Sequence, residues 1–363
     1  MARYRFDQIA INSTDKRKPE DKDQADYIGL EHLDSGSLKV TRWGSKVPLK
    51  GEKLVMKKGD VLFGKRNAYL RRAAISPHDG LFSAHGMVLR PKTEIVDSEF
   101  FPFFIGSDYF FDRAIKISVG SLSPTVNWRD LKKEEFDLPS IPEQKKLTKV
   151  LKAISITKYA YEDLVRQTDE LVKSQFIEMF GCCKQSKLEK MATIVMGQSP
   201  SSDSYNTDGD GVEFHQGSGE FTEKYVAQGM YCTKPTRMAK ADDVLMSVRA
   251  PVGTVNITRN DCCIGRGLAA IRSNRAPELN EFLLYAFRAK ADEFNAMGHG
   301  STILSINKNE LHDLMMPDAT VDQQLRFVEV AGQSDKSKFE LQYVKRNVKE
   351  MITCSQKKIQ LNR

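Results

Sequence analysis

Residues 120–131 read GSLSPTVNWRDL, and residues 300–311 read GSTILSINKNEL. Glycine, serine, asparagine and leucine recur 180 positions later (300 minus 120). The same offset carries Gln144 onto Gln324 and Leu147 onto Phe327. Self-similarity at a fixed offset predicts two copies of one structural unit. The agreement continues upstream in looser form. GDVLFGKRNAYLRRAAI (59–75) is followed by SAHGMVLRP (83–91), and DDVLMSVRAPVGTVNI (242–257) is followed by GRGLAAIRS (265–273). Each reads as an acidic-Val-Leu strand start, a basic loop, an apolar strand and a Gly-containing return into another apolar strand.

Long helical stretches follow both copies. Leu147, Ile154, Tyr161, Thr168 and Gln175 fall seven apart, with Val150, Leu164 and Leu171 as a companion seam and Leu151, Val165 and Val172 flanking it. In the second stretch Phe327, Ser334, Leu341, Val348 and Ser355 take the seven-residue positions, and Val330, Val344 and Met351 the companions. Heptads sustained for about 35 residues exceed the ~11–12 of an average helix, which favours a paired coiled coil over two helices each folded on its own domain. Pro139 and Pro142 mark the first helix start, Pro317 the second, and Gly181 suits the first helix's C-terminal cap. A helix of that length spans roughly 50 Å. An antiparallel return would place two similar domains about a pseudo-twofold axis, a spacing suited to half-sites whose major grooves recur every ~34–36 Å. The expected fold is α+β, with domains at 1–140 and 182–318, a central helix at 141–181 and a C-terminal helix at 319–363 pairing with the first.

The 363 residues are too many for one ordinary core. A formal charge of +7, from 55 basic and 48 acidic residues, permits an anionic partner without demanding one. Cys182, Cys183, Cys232, Cys262, Cys263 and Cys354 lack zinc-knuckle spacing and read as reduced thiols of a cytoplasmic protein. The N-terminus has no apolar signal core, and no apolar run approaches the ~20 residues of a membrane span. Asn206, Asp208, Asp210 and Gly211 mimic a calcium loop, but Gly217 stands where the bidentate Glu belongs. Phosphate-loop, dinucleotide, metalloprotease and nucleophile-elbow patterns are all missing, so the sequence implies no cofactor, no metal and no catalysis.

Together these features resemble the specificity subunit of type I restriction–modification systems. The resemblance covers essentially the whole chain. It is carried by YIGLEHLDSGSL (27–38), KKGDVLFGKRNAYLRRAAI (57–75), GQSPSSDSYN (197–206), CCIGRGLAAI (262–271), and the helix starts IPEQKKLTKVL (141–151) and VDQQLRFVEVAGQSDKSKFELQ (321–342). Ala319 departs from the pattern, standing where the offset places Pro139. The resemblance implies two target recognition domains, each reading half of an asymmetric bipartite sequence in double-stranded DNA. It further implies helices that set the gap and dock two methyltransferase subunits, through which restriction subunits attach. A coiled-coil scaffold with no nucleic-acid function is the competing reading.

The candidate DNA-reading residues lie on loops. Lys65, Arg66, Asn67 and Tyr69, with Arg71 and Arg72, place donors on one hairpin, where Arg and Lys suit guanine edges and phosphates and Asn suits adenine. Arg249 occupies the matching loop of the second copy. Arg266 lies between Gly265 and Gly267, which give the backbone room to approach a groove. Ser121 and Thr125, and Ser301 and Thr302, offer hydroxyls for phosphates or turns that cap the next helix. Gln198, Ser199 and Tyr205 form a polar loop that could face a base edge. The run Lys16, Arg17 and Lys18 reads as a solvated charge cluster.

Overall fold

A computed structural model of the protein describes residues 1–291, 293, 294 and 305–338. They divide into two compact units, Met1–Tyr161 and a second that begins at Glu162. The two units share one plan. In the first, strands Ala10–Ser13, Met87–Pro91, Val61–Phe63 and Ala73–Ile75 lie side by side in that order, all antiparallel. In the second, Ala192–Met196, Leu268–Ser273, Val244–Ser247 and Val255–Ile257 repeat the order and sense. A further sheet pairs Tyr27–Ile28 in parallel with Gly80–Phe82, and its counterpart pairs Val212–His215 in parallel with Cys262–Ile264. A two-stranded ladder completes each unit, Ala2–Arg5 with Glu135–Leu138 and Gln185–Lys187 with Met315–Pro317.

The repeated acidic-Val-Leu start is a repeated buried ion pair. The carboxylate of Asp60 accepts the Lys57 backbone N–H at 2.8 Å, and Asp243 accepts that of Lys240 at 2.8 Å. Each aspartate also receives two bonds from an arginine on the neighbouring strand. Arg90 donates to Asp60 at 2.8 and 2.9 Å, and Arg272 to Asp243 at 2.6 and 2.7 Å. Both carboxylates are buried, so the two-pronged arginine and the backbone donor are what make the charge tolerable there.

Ile141–Phe180 is a single helix of 40 residues, about 60 Å at 1.5 Å per residue. The division between units falls inside it, and each half belongs to a different core. Leu147 packs against the first, while Val172, Phe176 and Phe180 lie in the second. The second helical stretch, residues 321–338, starts as the first does. Ser140 donates its backbone N–H to Glu143 at 2.9 Å, and Thr320 donates its own to Gln323 at 3.0 Å. One residue on, Gln144 and Gln324 are both buried. Gln144 donates to the carbonyls of Pro139 at 2.8 Å and Ile95 at 3.1 Å and accepts the Asp97 N–H at 2.8 Å. Gln324 donates to the carbonyl of Ala319 at 2.9 Å. Ala319 therefore does with its carbonyl what Pro139 does, and the register holds through the substituted position.

One part of the heptad reading needs correction. Ile154 is buried, and Leu147 and Tyr161 are half-buried, as the seven-residue spacing predicts. The companion seam is one residue further on than expected. Leu151 and Val172 are buried and Val165 is half-buried, whereas Val150, Leu164 and Leu171 are about half exposed. In the second stretch Ala331 is buried and Val330 exposed. The cause is that Val150/Leu151, Leu164/Val165 and Leu171/Val172 are adjacent apolar pairs, so periodicity alone leaves the choice open. Within the second unit the two helical segments are antiparallel. Phe327 meets Phe176 and Phe180 at ring-centre distances of 5.4 and 5.6 Å, and Lys338 pairs with Asp169. Leu341, Val344, Val348 and Met351 lie outside the described residues.

Replacing Gln144 by Leu leaves two carbonyls and one N–H without their partner. Chemical denaturation is expected to show a loss of about 1–3 kcal/mol in the first unit, and an unchanged midpoint would contradict the role given to this side chain.

Candidate nucleic-acid interface

The loops singled out in the sequence meet in pairs. In the first unit the chain leaves Val61–Phe63 and reaches the hairpin tip at Lys65-Arg66-Asn67. There Arg66 forms an antiparallel backbone bridge with Thr125 of the serine-rich loop. The N–H of Val126 donates to the Lys65 carbonyl at 2.9 Å, and that of Asn67 to the Pro124 carbonyl at 2.7 Å. In the second unit Arg249 bridges Ser305, and the N–H of Ile306 donates to the Val248 carbonyl at 3.0 Å. Thr125 and Ser305 are 180 positions apart, so Arg66 and Arg249 occupy the same place in their units although 183 positions separate them (249 minus 66). Both side chains are exposed. The Arg66 guanidinium also donates to the Ser123 hydroxyl at 3.1 Å.

Other candidates sort by what already holds them. Tyr69 is exposed, as is Ser121. Arg71 is engaged within the unit: its guanidinium pairs with Asp108 at 2.7 Å and Asp112 at 2.6 Å. Its backbone is left-handed at φ 49°, as is that of Asn67 at φ 55°, so the two bracket a single tight turn. Arg71 is thus a clamp on that turn rather than a free donor. Arg72 is half-buried and bridges Ser35 through its backbone. In the run of three basic residues Arg17 grips Asp23 with two bonds of 2.6 Å, while Lys16 has no carboxylate partner among the described residues.

In the second unit Arg266 is exposed, and its N–H donates to the Ser199 hydroxyl at 3.2 Å. Gln198 is exposed beside it, its carbonyl accepting from Thr236. Tyr205 turns inward, with its hydroxyl on the Pro200 carbonyl at 3.0 Å and its ring 4.8 Å from Phe214. The glycines around Arg266 serve packing within the unit. A Cβ at Gly267 would meet the Gln216 carbonyl at 2.7 Å, and one at Gly197 would meet the Gly265 carbonyl at 2.1 Å. Gln216 and Thr236 come from loops of the other sheet, and no short motif in the sequence marks them. Ser301 and Thr302 lie outside the described residues.

Among the described residues no group of three or more His, Cys, Asp or Glu is placed to hold a metal, and no helix is long and apolar enough to cross a membrane. Burial pushes the Cys262 thiol up to about 12 and the Cys232 thiol up to about 11, so neither supplies a thiolate nucleophile at neutral pH. Replacing Arg71 by Ala is expected to lower stability by no more than about 1 kcal/mol, since both aspartates are exposed. It should also leave retention on DNA columns unchanged; a large drop in retention would return Arg71 to the contact surface.

Comparison with known proteins agrees with this geometry. Residues 8–163 and 183–325 match the type I restriction modification DNA specificity domain, once for each unit. The putative type I restriction enzyme MjaX specificity subunit of Methanocaldococcus jannaschii is 28% identical over 97% of this chain and 89% of its own length. A solved chain from work on complex assembly and conformational transition of the type I R-M system is 25% identical, with a TM-score of 0.56 over 99% of this chain and 97% of that one. The S subunit of the type I system from M. genitalium shares the fold at 11% identity, with a TM-score of 0.56 over 99% of this chain and 95% of that one. The scaffold reading without nucleic-acid function is set aside by these matches. With two copies of that domain covering most of the chain, the protein belongs to the DNA specificity subunits of type I restriction–modification systems, a family of non-catalytic subunits.

Proposed function

We propose that each unit reads one half of an asymmetric two-part sequence in double-stranded DNA, through the loop that carries Arg66 in the first and Arg249 in the second. The observation that carries this reading is the repeated backbone bridge, which sets an exposed arginine at the same place in both units. An arginine at a loop tip can take the O6 and N7 acceptors of guanine or a phosphate. The long helices fix the gap between the two halves. They also dock two methyltransferase subunits, through which restriction subunits join, and the assembly works in the cytoplasm. Exposed apolar side chains support the docking: Val150, Leu164 and Leu171 fall on one seven-residue line of the helix, with Thr157 between the first two, and Ile156 and Ile177 are exposed on the adjoining side. Exposed apolar side chains repeated along one helix mark a surface for another protein.

Selection of random duplexes by the chain reconstituted with its methyltransferase subunits is expected to enrich a two-part sequence with one fixed gap. A single continuous sequence, or no enrichment, would reject the reading. In the same assay Arg249→Ala is expected to relax one position of one half-site by about 1–3 kcal/mol and leave the other half untouched. For the helix, Leu164→Glu with Leu171→Glu should weaken methyltransferase binding by about 1–2 kcal/mol per site while the unfolding midpoint stays in place. Undiminished binding would move the docking surface elsewhere.

A further inference from the structure

We propose that Lys16, Lys65 and Asn127 seat one backbone phosphate of the DNA in the first unit, and that the second unit has no such seat. The inference rests on the DNA reading above and adds to it an asymmetry between the two readers.

The three residues line a cavity of about 220 Å³ in the first unit, together with Asn12, Ser13 and Thr14. Lys65 is half-buried and has no carboxylate partner among the described residues. Burial and the neighbouring Lys16 ammonium hold it below the usual lysine range. Lys16 is exposed and Lys65 half-buried, so the two ammoniums repel each other across the cavity while Lys65 alone resists desolvation, and an anion there relieves both costs. Asn127 stands at the start of the short helix Trp128–Leu131, yet its side chain makes no capping bond. Its counterpart Asn307, 180 positions on, accepts the Glu310 N–H at 3.0 Å and caps its helix. Asn127 is exposed and lines the cavity without that capping bond.

Comparing the units shows that the fold does not require these polar groups. Asn12 and Val61 both pair with Leu89, and Ile194 and Val244 both pair with Ile271. The ladders therefore match Asn12 with Ile194, Ser13 with Val195 and Thr14 with Met196. The bonds from Val126 and Ile306 match Lys65 with Val248, which is buried in the second core. Four polar positions of one unit are apolar in the other on the same backbone. A polar set that packing does not need, with two uncompensated positive charges and the Asn127 amide, fits a phosphate whose negative charge and acceptor oxygens complement them.

The test uses the full chain reconstituted with its methyltransferase subunits and the duplex it selects, with single neutral methylphosphonate linkages scanned along both strands. One linkage beside the first unit's half-site is expected to weaken wild-type binding and to cost Lys65→Gln nothing further. Lys65→Gln should keep every base preference. Its affinity ratio between 50 and 200 mM salt should fall about threefold relative to wild type, the share of one phosphate contact. Lys65→Val, the residue type of the second unit, guards against a folding defect and should reproduce this result. A base preference altered at one position would overturn the phosphate assignment in favour of a base edge. A complex that selects a two-part sequence but shows no linkage masked by Lys65→Gln overturns the seat alone. A wild-type complex that selects no such sequence overturns the DNA reading and the seat with it.

Discussion

A short backbone bridge, Arg66 to Thr125 in one unit and Arg249 to Ser305 in the other, is the constraint on which the proposed recognition depends. A hairpin tip alone is a surface turn, and ordering each of its residues costs about 1–2 kcal/mol. Tying the tip to a second loop through main-chain bonds meets part of that cost during folding, so the arginine is presented from a fixed base. The bridge common to both units is made by backbone atoms. Side chains along it are free to differ, as Lys65 and Val248 do, while the loop keeps its place. A surface built this way can change what it reads without altering the strands beneath it.

The duplication was legible because the repeated residues are those with structural duties that few other side chains perform. Asp60 and Asp243 each bind a strand-start N–H and a two-pronged arginine, and Gln144 and Gln324 each fasten a helix start. Buried polar groups with several partners tolerate little substitution, so they stand out even between distant copies. The helix start at Ala319 departs from the proline of the first copy, but the bond there is to a carbonyl, which any residue supplies.

What was not legible has equally specific causes. Arg71 looks like a free donor in the sequence, and only the fold brings Asp108 and Asp112 to it. The glycines beside Arg266 looked like room for a groove, whereas they make room for Gln216. The sequence matches the loops of Arg66 and Arg249, but the residue-for-residue equivalence, at an offset of 183 rather than 180, comes from the strand ladders. The seam of the long helix was misplaced by one residue because apolar residues are doubled along it. The two units thus share a skeleton held by buried polar bonds and differ where one has Asn12, Ser13 and Thr14 and the other Ile194, Val195 and Met196. That difference is of the kind that two unlike half-sites call for.

The most direct test of one reader per half-site is photocrosslinking from the DNA side. A halogenated pyrimidine would be placed at each position of the selected duplex in turn, with the complex reconstituted around it. The account predicts that peptides spanning 65–72 crosslink only to one half and peptides spanning 248–253 only to the other. Both peptides reached from the same half would contradict it.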